Sequence, residues 1–236
     1  MRQNVATFDY KSYGNTVNPQ NMVIFLHGYK SSMEDISPEA ALLSSLSPQT
    51  LVITPQSPKI HQKNKMRYWY NVAEFDTEHK RHNPQTPLEE IVQIYNAAGE
   101  QLAHDATQIN RFINEIIQQY HVPEQKTFIA GFSQGAMLAL YTALSRGSAL
   151  GGCFVLSGLV AGKDKLEQEL NSYPKTYLFH GLKDDVILPK TIDFTTSWLK
   201  EHNIDFKLET FENLAHKIDN QELAKITAII NSTVYE

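Results

Sequence analysis

The chain has 236 residues, 42% of them hydrophobic, which is enough for one sizeable core and short for two independent enzyme domains, so one domain is expected. A net charge of -5 with no basic block gives no reason to expect binding to nucleic acid or to an anionic membrane surface. The one cysteine, Cys153, excludes an internal disulfide. The polar N-terminal stretch around Asp9 lacks the apolar run of a secretory signal, and nothing downstream approaches a membrane span, so a cytoplasmic protein without stable membrane insertion is expected.

In chain order, the first clear strand is Met22 to Leu26, closed by His27-Gly28-Tyr29. A helix near Pro38 to Leu46 and a strand from Leu51 to Thr54 follow. The stretch from Ser57 to Asn96 breaks the alternation. It is polar, holds Pro58, Pro84 and Pro87, and is too long for an ordinary connection, so residues 57–96 are read as a lid-like insertion. Within it, residues 73–96 carry many charges that point to mobility, with Phe75, Leu88, Ile91 and Ile94 available to cover a bound acyl chain. The charged run Glu78-His79-Lys80-Arg81-His82 reads as a solvated loop rather than a metal site.

From Ala98 to Tyr120 the residues Leu102, Ala106, Ile109, Ile113, Ile116, Ile117 and Tyr120 recur at three- and four-residue steps, the stripe of a helix packed on a core. Strands are expected at Thr127 to Ala130, Cys153 to Leu156, Thr176 to Phe179 and Phe206 to Phe211, and helices at Gln134 to Ser145, Lys190 to His202 and Gln221 to Asn231. Cys153 lies in the apolar run Gly152 to Leu156 and reads as a small core residue rather than a nucleophile. Strands alternating with helices in this way imply an α/β fold, a mostly parallel central sheet with helices on both faces.

Gly131-Phe132-Ser133-Gln134-Gly135 is a G-x-S-x-G motif between a predicted strand and a predicted helix, the context of the nucleophile elbow of the α/β-hydrolase fold. A serine there projects above the sheet edge, with a helix N-terminus beneath it that suits a developing oxyanion. The plainer reading is a serine capping a helix in a glycine-rich turn. A serine hydroxyl needs a base, and in this fold nucleophile, acid and base follow one another in that order along the chain. His202 and His216 satisfy the order. His202 sits in the charged helix end Leu199 to Asn203, where a dipole contact explains it, so His216, just past the strand ending at Phe211, is the candidate base. The loop after the strand Thr176 to Phe179 offers Asp184 and Asp185. His-Gly-x-x-Asp spacing from Gly181 selects Asp184, whereas counting back from Pro189 selects Asp185. Oxyanion donors are expected at the N–H of Gln134, next after the nucleophile, and of Tyr29 after Gly28.

Taken together, Leu26-His27-Gly28, Arg67-Tyr68-Trp69-Tyr70-Asn71, Gly131 to Gly135, His180-Gly181-Leu182-Lys183-Asp184 and Ala215-His216 resemble the phospholipase/carboxylesterase family that includes the acyl-protein thioesterases, over about Met22 to Ile230. The resemblance implies Ser133, Asp184 and His216 as a triad, Tyr29 and Gln134 as oxyanion donors, no cofactor, and a small acyl ester or acylated substrate. Arg67 and Trp69 are candidate substrate-binding residues, with packing of the aromatic under a loop the alternative for Trp69. Three departures stand out: no second glycine follows in Tyr29-Lys30-Ser31-Ser32, an extra residue separates Asp184 from Pro189, and residues 73–96 are longer and more charged. The expected activity is cleavage of short- to medium-chain carboxylic esters, with thioesters or lysophospholipids as further substrates. Peptide or lactone cleavage by the same triad, or a silent binding module on the same fold, are the rivals.

Overall fold

The computed structural model describes residues 2–4, for their backbone, and 7–232. Among these, eight strands form one sheet: β1 (Arg2–Asn4), β2 (Asp9–Gly14), β3 (Asn21–Leu26), β4 (Thr50–Pro55), β5 (Thr127–Phe132), β6 (Gly152–Leu156), β7 (Thr176–Gly181) and β8 (Phe206–Phe211), in the order β1-β2-β4-β3-β5-β6-β7-β8. The β1–β2 and β2–β4 pairs are antiparallel and every later pair is parallel.

The central strands are buried on both faces, which is why they read as unbroken apolar runs. In β3, Met22, Ile24 and Leu26 point into one core cluster while Val23 and Phe25 point into the other, the period-two alternation of a strand. The second cluster lies under α1 (Ser37–Leu46) and α7 (Asn220–Ser232), through Ala40, Leu43, Leu223, Ile226 and Ile230. The first lies under α2 (Leu88–Asn96), α3 (Gly99–Tyr120), α4 (Gln134–Ser145), α5 (Lys163–Glu169) and α6 (Thr191–Glu201). Helices on both faces of a mostly parallel sheet, with a strand-serine-helix turn at its centre, make this an α/β-hydrolase fold.

The predicted strands and helices are present with ends shifted by a few residues. Cys153 is fully buried, and burial pushes its thiol up from the ordinary value. Two features depart from expectation. The sheet continues through the antiparallel β2 and β1, which the polar run Asp9-Tyr10-Lys11-Ser12-Tyr13 did not announce. The charged stretch after Ala73 is structured: short 3-10 turns span Val72–Phe75 and Lys80–His82, and α2 buries Ile91, Val92, Ile94 and Tyr95. Phe75, Ile91 and Ile94, expected to cover a bound acyl chain, pack on the core instead. Their burial, with that of Val92 and Tyr95, answers why so charged a segment stays down.

No helix among the described residues is long and apolar enough to cross a membrane.

Candidate active site

The site begins at the end of β5. Ser133 has φ 55° and ψ −118°, a conformation few non-glycine residues adopt, and its amide donates to the Leu156 carbonyl at 2.9 Å. The turn is feasible because its flanks have no side chains. A Cβ on Gly131 would lie 2.2 Å from the Gly135 carbonyl oxygen, and one on Gly135 would lie 2.4 Å from the carbonyl oxygens of Leu26 and His27. Gly135 thus lets α4 start directly against the end of β3, which brings the His27-Gly28-Tyr29 loop beside Ser133.

His216 arrives on the loop between β8 and α7. That loop is laid against the β7 end by Lys183 N–H donating to the Leu214 carbonyl at 3.0 Å and Leu182 N–H donating to the Phe211 carbonyl at 2.9 Å. The His216 ring packs on Phe132 at 4.7 Å between centroids. Its Nε2 is 3.0 Å from Ser133 Oγ and its Nδ1 is 2.8 Å from Asp184 Oδ2. With Nδ1–H donating to the carboxylate, Nε2 keeps its lone pair toward the Ser133 hydroxyl.

Asp184 is 3% exposed, while the neighbouring Asp185 is exposed to solvent. Burial alone would raise the Asp184 pKa. The hydrogen bond and charge of His216, with the amides of Ile187 and Val186 donating to Oδ1 at 2.8 and 2.9 Å, outweigh it and hold the carboxyl below its ordinary value. His180 braces the same loop, its Nε2–H donating to the Ile187 carbonyl at 2.8 Å, and burial lowers its pKa.

On the other side, His27 is fully buried and driven down to about 4, chiefly by burial. It serves the backbone: Ser57 N–H donates to Nε2 at 3.2 Å and Nδ1–H donates to the Gly28 carbonyl at 2.9 Å. Lys30 N–H donates to the Arg67 carbonyl at 2.7 Å, which fixes the chain just after Tyr29. Gln134 is the first residue of α4, where a backbone N–H has no acceptor within the helix.

Ser133, His216, Gln134 and Tyr29 share one cavity of about 420 Å³. Its inner wall is apolar, from Tyr70, Val72, Ala73, Met137, Val186 and Ile187, and its remaining wall holds Lys30, His79, Arg81 and His82. The structure therefore brings together five of the seven residues expected at the site, Asp184 standing behind His216. Trp69 and Arg67 are elsewhere. Trp69 is 2% exposed, donates from Nε1 to the His27 carbonyl at 2.8 Å and packs edge-on against Phe8, so it supports the His27-Gly28-Tyr29 loop. Arg67 donates to the Ser57 carbonyl at 2.7 Å and faces a separate depression.

Two contributions were absent from the sequence reading. The Gln134 side chain accepts from Trp69 N–H at 2.8 Å and donates to the Tyr70 carbonyl at 2.6 Å, and the fourth letter of Gly-Phe-Ser-Gln-Gly was the available signal. The second is Arg81, only 6% exposed and ion-paired with buried Asp76. That pair, with His82 Nδ1–H donating to the Val186 carbonyl at 2.9 Å and Lys190 Nζ donating to the Pro84 carbonyl at 2.9 Å, pins the insertion over the cavity.

Chemically, the arrangement can draw a proton from a hydroxyl at the cavity wall and hold the resulting imidazolium against a buried carboxylate.

Comparison with known proteins gives a consistent picture. The family model described as Phospholipase/Carboxylesterase matches residues 14–234. The chain is 26% identical over 226 residues to the acyl-protein thioesterase 1 of Candida albicans, covering 90% of this chain and 91% of that one. In structure it is similar to the esterase PE8, with a TM-score of 0.78 and 24% identity over 96% of this chain and 98% of the other. It is likewise similar to Arabidopsis thaliana SOBER1, with a TM-score of 0.74 and 23% identity over 92% and 99%. At those identities the two structural likenesses speak for the fold.

Proposed function

The chain belongs to the phospholipase/carboxylesterase family, and we propose that it is a serine hydrolase cleaving small acyl esters, with acyl thioesters as alternative substrates, through an acyl-enzyme formed on Ser133. The observation that carries this reading is the continuous line of contacts from Ser133 Oγ to His216 Nε2 at 3.0 Å and from His216 Nδ1 to Asp184 Oδ2 at 2.8 Å, at the wall of a largely apolar cavity.

In the proposed reaction His216 Nε2 takes the Ser133 proton as Oγ attacks the carbonyl carbon. The negative oxygen of the tetrahedral intermediate is held by the N–H groups of Tyr29 and Gln134, each contributing about 3 kcal/mol. The intermediate collapses with loss of the alcohol or thiol, which leaves with the proton from His216. Water then gives its proton to His216 and attacks the acyl-enzyme, and the acid departs as Ser133 recovers its proton. Asp184 holds the tautomer and stabilises the imidazolium without taking the proton. The apolar inner wall suits an acyl chain of short to medium length, and the insertion that supplies Ala73 sets where that chain must end. We place the reaction in the cytoplasm, on a fold whose one cysteine is reduced and buried.

The test is covalent labelling by a fluorophosphonate together with turnover of p-nitrophenyl and thioester substrates. Wild type should label and turn over, and Ser133→Ala should do neither while unfolding at the same denaturant midpoint. A wild-type protein that neither labels nor turns over would favour a silent binding module.

A further inference from the structure

The cavity is charged in a way the chain as a whole is not. The sequence has net charge -5, yet no aspartate or glutamate lies among the described lining residues, while Lys30 and Arg81 do, with His79 beside them. Lys30 and His79 come from different segments, the loop after β3 and the insertion. Both sit in the left-handed region, with φ of 60° and 55°, so the backbone is bent out of its preferred range at the two points that deliver these side chains to one cavity.

Arg81 is turned the same way. Its carboxylate partner, Asp76, is 3% exposed and absent from the cavity lining, and Asp76 is further held by the Lys80 amide at 2.7 Å and the Arg81 amide at 3.3 Å. The carboxylate thus balances the guanidinium from behind, leaving the cation at the cavity wall. Lys30 forms no ion pair among the described residues, and its Nζ lies 5.4 Å from the ring of Tyr29, beside Ser133 in the same cavity. Lys30 and Arg81 thus bring two cationic groups to a wall that holds no carboxylate among the described residues.

We propose that the preferred ester carries an anionic group which seats against Lys30, His79 and Arg81 while its carbonyl lies at Ser133. This rests on the esterase reading above and narrows it to anionic substrates. The apolar wall takes the part of the molecule between carbonyl and anion, and the anion meets the guanidinium held by Asp76 and the ammonium of Lys30, where a charged hydrogen bond is stronger than a neutral one.

Two matched pairs of substrates test this. Mono-4-nitrophenyl glutarate against 4-nitrophenyl valerate puts the anion on the acyl half, and 4-carboxyphenyl butyrate against phenyl butyrate puts it on the alcohol half. In wild type the anionic member of one pair should have a kcat/KM about tenfold above its neutral partner, and the pair that shows it identifies the half. That ratio should shrink as salt is raised. Arg81→Met would strand the buried Asp76 carboxylate, so the variants are Lys30→Met and Lys30→Glu at an exposed position. The ratio should fall in the first and fall further in the second. Hydrolysis of the neutral members as fast as or faster than the anionic ones in both pairs, or ratios indifferent to both variants, overturns the inference and leaves the esterase reading standing. Hydrolysis of none of the four overturns the esterase reading and this inference with it.

Discussion

The side-chain amide of Gln134 holds the backbone at Trp69, accepting from its N–H at 2.8 Å, and reaches the next carbonyl, of Tyr70, at 2.6 Å. One residue therefore links the helix that follows the Ser133 turn to the strip of chain that forms one wall of the cavity. Gln134→Ala keeps the backbone N–H proposed for the oxyanion but leaves a buried donor and acceptor unpaired, a loss of about 2 kcal/mol or more. A lower urea midpoint and a kcat/KM reduced for every ester are expected. An unchanged midpoint would show that the contact does not hold the wall.

The second prediction separates two adjacent carboxylates. Asp184 is buried against His216 and two amides, and Asp185 is in solvent. Asp184→Asn should lower kcat by about three to four orders of magnitude, through the wrong His216 tautomer, and Asp185→Asn by no more than a few-fold. The reverse ranking in steady-state kinetics would move the role to Asp185. Stability follows the same logic. Because the folded carboxyl of Asp184 is held below its ordinary 3.8, its contribution is present above that value and is lost as pH falls through the depressed folded pKa. Thermal melts between pH 5 and the acid limit should show that loss in wild type and less of it in Asp184→Asn.

The turn carrying Ser133 and the loop carrying His216 were legible because their signals are local: glycines flank Ser133, and Ala215-His216 follows a strand. The choice between Asp184 and Asp185 was only partly so: spacing from Gly181 favoured Asp184 and counting back from Pro189 favoured Asp185, and burial with the contacts to His216 and the amides of Val186 and Ile187 is what sets Asp184 apart. Trp69 stayed open between substrate contact and packing under a loop for a related reason. An aromatic beside a motif looks like a ligand wall until its indole N–H is seen donating to the His27 carbonyl. The α2 helix was hidden by its surroundings. Ile91, Val92, Ile94 and Tyr95 have helical spacing, but Pro84, Pro87, Glu89 and Glu90 around them gave the stretch the composition of a loop. The convergence of Lys30 with Arg81 depends on contacts between distant segments and leaves no trace in either one.

The third prediction concerns Glu222, fully buried on α7 close after His216. It closes a capping box: Asp219 N–H donates to its Oε2 at 3.0 Å while Asp219 Oδ1 accepts from the amides of Gln221 and Glu222. Burial is the main reason its pKa rises from 4.5 to about 7, with the Asp219 amide pulling the other way. The folded state therefore binds this proton more tightly than the unfolded chain. The resulting stabilisation is fully present below the unfolded value near 4.5 and is lost as pH rises through about 7. Glu222→Gln keeps an acceptor for the Asp219 amide and removes the titration. The variant should match wild type near pH 5 and be more stable at pH 8. Parallel pH profiles of the denaturant midpoint would refute the buried-acid assignment.

The last prediction asks whether the insertion ends the acyl site. Ala73 lines the cavity from a 3-10 turn beside Val72, and that turn is tied down by Asn71 N–H donating to Gln101 Oε1 at 2.7 Å and by Gln101 Nε2 donating to Glu74 at 3.2 Å. A segment fixed in this way is expected to act by shape rather than by closing, so a side chain added there should remain in the cavity. Ala73 is only partly buried, which lets Ala73→Trp place its ring in open space without the strain of overpacking a core. An acetyl group needs little of the 420 Å³, whereas an octanoyl chain needs much of the apolar wall. Across p-nitrophenyl esters from acetate to octanoate, the ratio of octanoate to acetate kcat/KM should fall at least about tenfold, the scale of losing a few buried methylenes. Fluorophosphonate labelling of Ser133 should persist, since the change lies away from the turn that carries it. A folded, labelled variant with the wild-type chain-length profile would place the acyl chain along another wall and leave the insertion without a part in substrate choice.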